Sequence, residues 1–435
     1  MRAPRWIDAL RSSRPDGIGA AEWSLYATET RRITLQTKDR ETGNAHVPLT
    51  ITDSAGGRYL IVWEDGLVSR GGLERHDLEQ GAASAIALAR AAAYDDADAA
   101  AVLGPAEFAA VELHDGKTAR VAAGDVGPLA ERWRLVRKTV EGGEFATWSG
   151  AIHASAGEAL VATSRGLDVS VQTTQVRWHV SIDGEVGAGH SARAFESRDD
   201  FSARLERLAG CAALLRKPAG PMVPGVHDLI LHPGVVEDLV LATLLHHLDA
   251  STIAHGEGHF RREQFGSSGP VLREDLSLRL DPLLPLRSGS YRFTREGLPA
   301  KGCVFVDRGR LKTPVAGLKY ARRLGIPPTP IPYGSDTLFL EGPEPLRERE
   351  AQARAEGGAL VLSVLGVHTL DLASGDFSLS APQTLRLGAA GPEGRLRGTI
   401  SGNLFEILRS DSLHLVRFEG EHTPGLLVRC RLDPE

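Results

Sequence analysis

The sequence predicts an α+β protein in which an N-terminal mixed α/β domain is followed by a β-rich C-terminal domain. Three observations carry this. An amphipathic helix ends near residue 215, a proline- and glycine-dense stretch follows it, and short alternating apolar segments dominate beyond. With 435 residues, 42% apolar and 24% charged, the chain is long and apolar enough for two cored domains. The expected division is 1–217, a linker at 218–225, and 226–435.

Taken in order, residues 33–37 and 47–52 are rich in β-branched side chains and read as strands. The alanine-rich residues 74–94 read as helix. In 169–182 the apolar parity switches: Val169 and Val171 share one face, Val176, Trp178, Val180 and Ile182 the other. One buried face cannot run through that switch, so a bulge or turn is expected at 173–175. The helix at 200–215 repeats Phe201, Leu205, Leu208, Ala212 and Leu215 along one stripe, with Asp199 or Asp200 placed to cap it. Residues 216–225 then hold three prolines and two glycines, which neither a helix nor a central strand tolerates.

Beyond the linker, residues 235–248 read as a helix opening after Pro233-Gly234. Residues 276–280, 302–306, 384–387 and 413–418 read as short strands. At the end of the chain Leu426, Val428, Cys430 and Leu432 alternate with Arg429 and Arg431, which puts Cys430 on a core face. The proline-rich residues 326–334 are read as a surface loop, Gly71-Gly72 and Gly357-Gly358 as turns, and 347–350 as a solvated helix face.

A net charge of −6 and a pI near 6.2 offer no footprint for nucleic acid. No apolar run approaches the ~18 residues of a bilayer span, and no apolar segment follows the basic N-terminal residues as in a secretory signal. Cys211, Cys303 and Cys430 lie far apart, as reduced thiols would, so a cytoplasmic protein without membrane or nucleic-acid partners is expected.

No nucleophile elbow, phosphate-binding loop or dinucleotide fingerprint is present. Histidines concentrate in one segment, His246, His247, His255 and His259. His255 and His259 have the i, i+4 spacing that places two zinc ligands on one helical face. Gly256 and Gly258 weaken that helix, however, and Glu257 stands one position from where a helical zinc peptidase carries its general base. A polar turn is the simpler reading.

Five phrases then fall in a family's order. They are Phe293-Thr-Arg-Glu296-Gly297-Leu-Pro, Val306-Asp-Arg-Gly309-Arg-Leu311, Tyr320-Ala-Arg-Arg-Leu-Gly325, residues 366–378 ending Gly375-Asp376-Phe377-Ser378, and Thr399-Ile400-Ser401-Gly402-Asn403-Leu404. The series resembles the TldD/TldE (PmbA) family, labelled modulators of DNA gyrase and classed as zinc metallopeptidases. Before the linker the resemblance is weaker, resting on the passage from Val161 through Ser164-Arg-Gly166.

The resemblance implies a test at one motif. TldD-type subunits carry His-Glu-x-x-x-His, two zinc ligands and a base. The matching positions here are His246, His247 and Ser251, so the carboxylate and the second ligand are replaced. The cysteine-containing C-terminal phrase of that type is also missing. The implied protein is TldE-like: no catalytic residue, no metal and no cofactor in this chain, with zinc held by a TldD-like paralogue in a complex that takes unfolded peptides. A homodimer, a stand-alone metallopeptidase built on His246, His255 and His259, and a peptide-binding scaffold stay open as alternatives.

Overall fold

The computed structural model describes residues 4–41, 49–99, 102–143, 145, 147–266, 269–367 and 374–435. The first half forms a six-stranded antiparallel sheet of β1 (Ala20–Glu41), β2 (Leu49–Trp63), β3 (Val68–Glu74), β4 (Thr147–Thr163), β5 (Asp168–Ile182) and β6 (Val186–Ala192), ordered β3-β2-β1-β4-β5-β6. Helices α1 (Pro4–Ser12), α2 (Arg75–Glu79), α3 (Ala82–Ala91), α4 (Gly116–Ala123), α5 (Gly127–Gly142) and α6 (Arg198–Leu215) accompany it. At one end Trp6, Leu10 and Ile86 pack on Trp23, Leu25 and Leu160. At the other, Trp133, Val136, Phe201 and Leu205 pack on Ile33, Ile152, Trp178 and Val180.

Several expectations are corrected here. The strand seen at 33–37 is part of the 22-residue β1. Strand β5 contains no bulge; its register with β4 runs unbroken from Ile182↔Trp148 to Asp168↔Ala162. The parity switch has another cause. Val176 to Ile182 bury their even face under α5 and α6, whereas Val169 and Val171 lean the other way, toward Val161, Leu167 and Phe293. A long strand is thus covered on opposite faces at its two ends. The helix expected at 74–94 is two helices, broken at Gln80-Gly81. Gly71-Gly72 lies inside β3, and a Cβ on Gly71 would sit 2.6 Å from the Tyr59 hydroxyl. All five stripe residues of α6 are buried, but the cap is Ser197, whose hydroxyl accepts from the Asp200 amide at 3.0 Å.

The proline-rich stretch after α6 is irregular yet anchored. The Ala219 amide donates to the Arg395 carbonyl at 2.9 Å, and the Arg395 amide to the Lys217 carbonyl at 2.7 Å. It leads into β7 (Gly225–Leu231). A small sheet follows, of β8 (Ser277–Leu280), β9 (Cys303–Asp307), β10 (Arg310–Leu311) and β11 (Leu338–Glu341). The larger C-terminal sheet adds β12 (Leu346–Arg347), β13 (Ala359–Leu365), β14 (Asp376–Gly388), β15 (Gly391–Leu396), β16 (Gly398–Asn403), β17 (His414–Arg417) and β18 (Gly425–Pro434) to β7.

This sheet closes on itself. Strand β7 pairs with both β13 and β18, and β13-β14-β16-β18 completes a ring. One face of the ring, with Leu229, Val361, Leu379, Ile400, Val428 and Cys430, packs on a helix over residues 233–248, called α7. The opposite face, with Ile230, Leu360, Leu385 and Leu427, packs on α6, so the two halves of the chain share a core. Gly358 is required by this closure: a Cβ there would stand 1.9 Å from the Asp228 carbonyl. The remaining helices are α8 (Ala250–His255), α9 (Leu318–Leu324), α10 (Glu348–Arg354) and α11 (Leu404–Arg409). The 326–334 stretch is a loop without helix or strand, as expected, but it is anchored. Buried Thr329 accepts from the Ala316 amide at 2.7 Å and donates to the Pro314 carbonyl at 2.9 Å.

Candidate functional site

Helix α7 carries His246 and His247 in its last turn and contains a π-helical segment over Val236–Leu241. It stops at Asp249, whose φ of −67° and ψ of 128° leave the helical region. The Asp249 carboxylate accepts from the Ser251 amide at 2.7 Å and from the Ser251 hydroxyl, capping α8. A short acidic side chain that can satisfy a following helix start competes with continued helix, which is why the chain breaks here. Ser251 therefore lies on a different helix from His246, with its hydroxyl engaged locally.

His247 is fully buried. Its Nδ1 accepts from the His259 amide at 3.1 Å, so the neutral ring carries its proton on Nε2, which has no partner. Phe405 and Phe260 flank it, with ring centroids 5.0 and 6.0 Å away. His246 is 5.3 Å from it, centroid to centroid, and His259 6.3 Å. Burial first, then His246 and His259, draw His247 down to about 4. His259 stacks on Phe405 at 3.8 Å and 12°, and its Nε2 faces the Arg409 guanidinium at 3.3 Å. Burial, Arg409 and Arg261 lower its pKa too.

His255 stands apart. It ends α8, where Gly256 turns left-handed at φ +72°, so His259 is not on that helix. Its Nε2 meets Arg323 Nη1 at 3.1 Å and its ring packs edge-on to Tyr320. Glu257 is exposed. The structure thus brings His246, His247 and His259 together and leaves His255 and Glu257 outside. Among the described residues, no three His, Cys, Asp or Glu side chains are placed to hold a metal ion. The residues at the zinc-motif positions do not fit zinc: an imidazole replaces the base, Ser251 is bound to Asp249, and Arg409 puts a cation beside His259. Burial pushes the Cys303 thiol up to about 11 and the Cys430 thiol up to about 12.

The buried imidazoles have a consequence for stability. Burial also draws His232 down to about 4, with Arg207 adding to the effect. Both folded values lie below the ordinary ~6.5, so the unfolded chain binds more protons in between. Their contribution is whole above about 6.5 and is lost as pH falls toward about 4. The urea midpoint should fall over that window, and a His247→Gln variant should fall less steeply. A flat midpoint from pH 7 to 4 would contradict this.

Several of the family phrases prove to be joints. The Glu296 carboxylate accepts from the Leu318 amide at 2.8 Å at the start of α9. Gly297, at φ +87°, lets the chain lie against Leu167, which a Cβ would meet at 2.5 Å. Asn403 accepts from the Phe405 and Glu406 amides at 3.0 Å, capping α11, and donates to Asp376 at 2.8 Å. Residue His368, in the phrase at 366–378, lies outside the described residues.

Sequence reasoning ended the helix at Leu248, as found, but missed the cap that Asp249 supplies and the parts played by Phe405 and Arg409. Only Asp249 left a signal, as the start of an Asp-Ala-Ser cap pattern. It also missed a cavity of about 400 Å³ where the sheet face opposite α1 to α6 meets residues 288–295. Arg32, Arg193, Arg292 and Arg295 line it, from segments too dispersed to form a motif.

Residues 224–428 match the family model of the PmbA/TldA metallopeptidase C-terminal domain. No curated protein sequence matches the chain. The whole fold is similar to two crystal structures described as modulators of DNA gyrase. One, from Bacteroides thetaiotaomicron, has a TM-score of 0.74 at 16% identity, covering 99% of this chain and 97% of the other. The other, from Thermotoga maritima, has a TM-score of 0.74 at 18% identity, covering 99% and 100%. TldE from Thermococcus kodakarensis is similar with a TM-score of 0.72 at 15% identity, covering 95% and 96%.

Proposed function

We propose, from the match of residues 224–428 to the PmbA/TldA metallopeptidase C-terminal domain model, that this chain is a non-catalytic, TldE-type subunit of a zinc metallopeptidase complex. In this reading a TldD-like paralogue holds the zinc. The present chain completes the enclosure and holds unfolded peptide in extended form, by strand addition, without cutting it.

One observation carries the reading. The residue at the position of the general base is a buried, neutral imidazole wedged between Phe260 and Phe405, and the position of the second ligand lies beyond a helix break. A general base must reach the water it activates, and His247 reaches no solvent. Co-expression with a paralogue bearing an intact His-Glu-x-x-x-His motif tests the partnership. The two chains should purify together, and peptidase activity should vanish when the paralogue's glutamate becomes glutamine. It should persist with His246→Ala in this chain. Elution of the two chains separately would contradict the proposal.

A further inference from the structure

The outer face of the N-terminal sheet carries a cationic cavity that the peptidase motif does not touch. The register sets Tyr26 between Arg58 on β2 and Val161 on β4, and Arg32 beside Ser155. Over these rungs lie Ser288–Arg295 and Tyr333, which close the cavity of about 400 Å³. A second hollow of about 500 Å³ adjoins it, sharing Tyr26 and Arg295. Both volumes fall within the ~300–1,000 Å³ common for small-ligand sites.

Arg32, Arg193, Arg292 and Arg295 line the cavity against one carboxylate, Glu158. Among the described residues no ion pair joins any of the four to an acid. The carboxylate of Asp336 lies near Arg193 but is occupied by the Ser288 and Gly289 amides, at 2.6 and 2.9 Å. Arg193 is held by carbonyls instead: Nη1 donates to Thr174 at 3.3 Å and Nη2 to Ser288 at 3.4 Å and to Ser290. Its Nε is buried without a partner, as is the Nε of Arg292. Arg295 is positioned by two tyrosines. Its guanidinium charge acts on the nearby Tyr26 hydroxyl, its amide donates to the Tyr333 hydroxyl at 3.1 Å, and its guanidinium lies 5.6 Å from the Tyr333 ring centroid.

Four like charges around one hollow repel one another, and the half-buried Arg193 and Arg292 each hold a buried, unpartnered Nε, which is costly. Burial accordingly draws Arg193 down to about 10. Such an arrangement is stabilised by an anion, and guanidinium forks suit planar or tetrahedral oxyanions. We propose that this cavity binds an oxyanion-bearing small ligand, a carboxylate or a phosphate, gripped by Arg32, Arg193, Arg292 and Arg295. Its residues come from both halves of the chain, so the ligand would also tie the sheet to the C-terminal domain.

Isothermal titration of the full chain at low salt, with inorganic phosphate and with succinate as probes, tests this. At least one probe should bind saturably at one site per chain. Arg32→Gln and Arg295→Gln, both at exposed positions, should each weaken binding about tenfold or more while leaving the melting temperature unchanged. Added salt should weaken it as well. Binding of phosphate alone would assign a phosphoryl ligand, and of succinate alone a carboxylate. Binding of neither probe, or equal binding by wild type and both variants, would overturn the proposal.

Discussion

Replacing His247 by glutamate, the residue a zinc peptidase carries at that position, is expected to destabilise the protein by about 3–5 kcal/mol at neutral pH, the scale of an uncompensated buried charge. No peptidase activity should appear. The His247 side chain is fully buried between Phe260 and Phe405, with His259 supplying a single backbone donor. A carboxylate there would find one hydrogen bond and no cation in contact. Total stabilities of about 5–15 kcal/mol leave little margin for such a loss. The sign of the pH effect separates this from a packing defect. A buried carboxyl has a raised pKa, so the penalty grows as pH rises above ~4.3 and shrinks in acid. That runs opposite to the wild-type trend. Urea unfolding at pH 5 and 7.5, with His247→Gln as a neutral control, measures it. A His247→Glu variant as stable as wild type at pH 7.5 would show that the site admits water.

Phe405→Ala should cost about 3–5 kcal/mol, the usual loss for a large ring removed from a packed core. Phe405 is 1% exposed, stacks on His259, faces His247 and Phe260, and lies where a Cβ on Gly375 would meet it at 2.6 Å. Its loss opens a cavity beside His247, so that imidazole should regain water and its pKa should climb from about 4 toward the ordinary value. Denaturant melts give the first effect and imidazole proton resonances followed with pH give the second. A fall in stability below about 1 kcal/mol with an unmoved titration would contradict the packing assigned to Phe405.

Elements with strong local periodicity were legible in the sequence. The α6 stripe named five residues and all five are buried, and the alternation around Cys430 placed it in the core. What depends on distant partners was not legible. No residue near 33–37 reveals a 22-residue strand flanked by β2 and β4, because its pairing lies in other segments. The apparent bulge at 173–175 came from assuming one buried face per strand, whereas β5 is covered from both sides at different points. Gly358 looked like an ordinary turn glycine until ring closure brought Asp228 against it. For the site, sequence located the histidines and the helix end at Leu248, but not the cap that Asp249 supplies, the stacking on Phe405 or the Arg409 cation. Those three features set what the clustered histidines can contact.

The metal content of the chain purified alone from zinc-replete medium, read together with its cleavage of an unfolded peptide, tests the central claim most directly. The silent-subunit account predicts only substoichiometric zinc that dialysis removes, and an intact peptide. One tightly held zinc per chain with peptide cleavage, both abolished by His246→Ala, would contradict it.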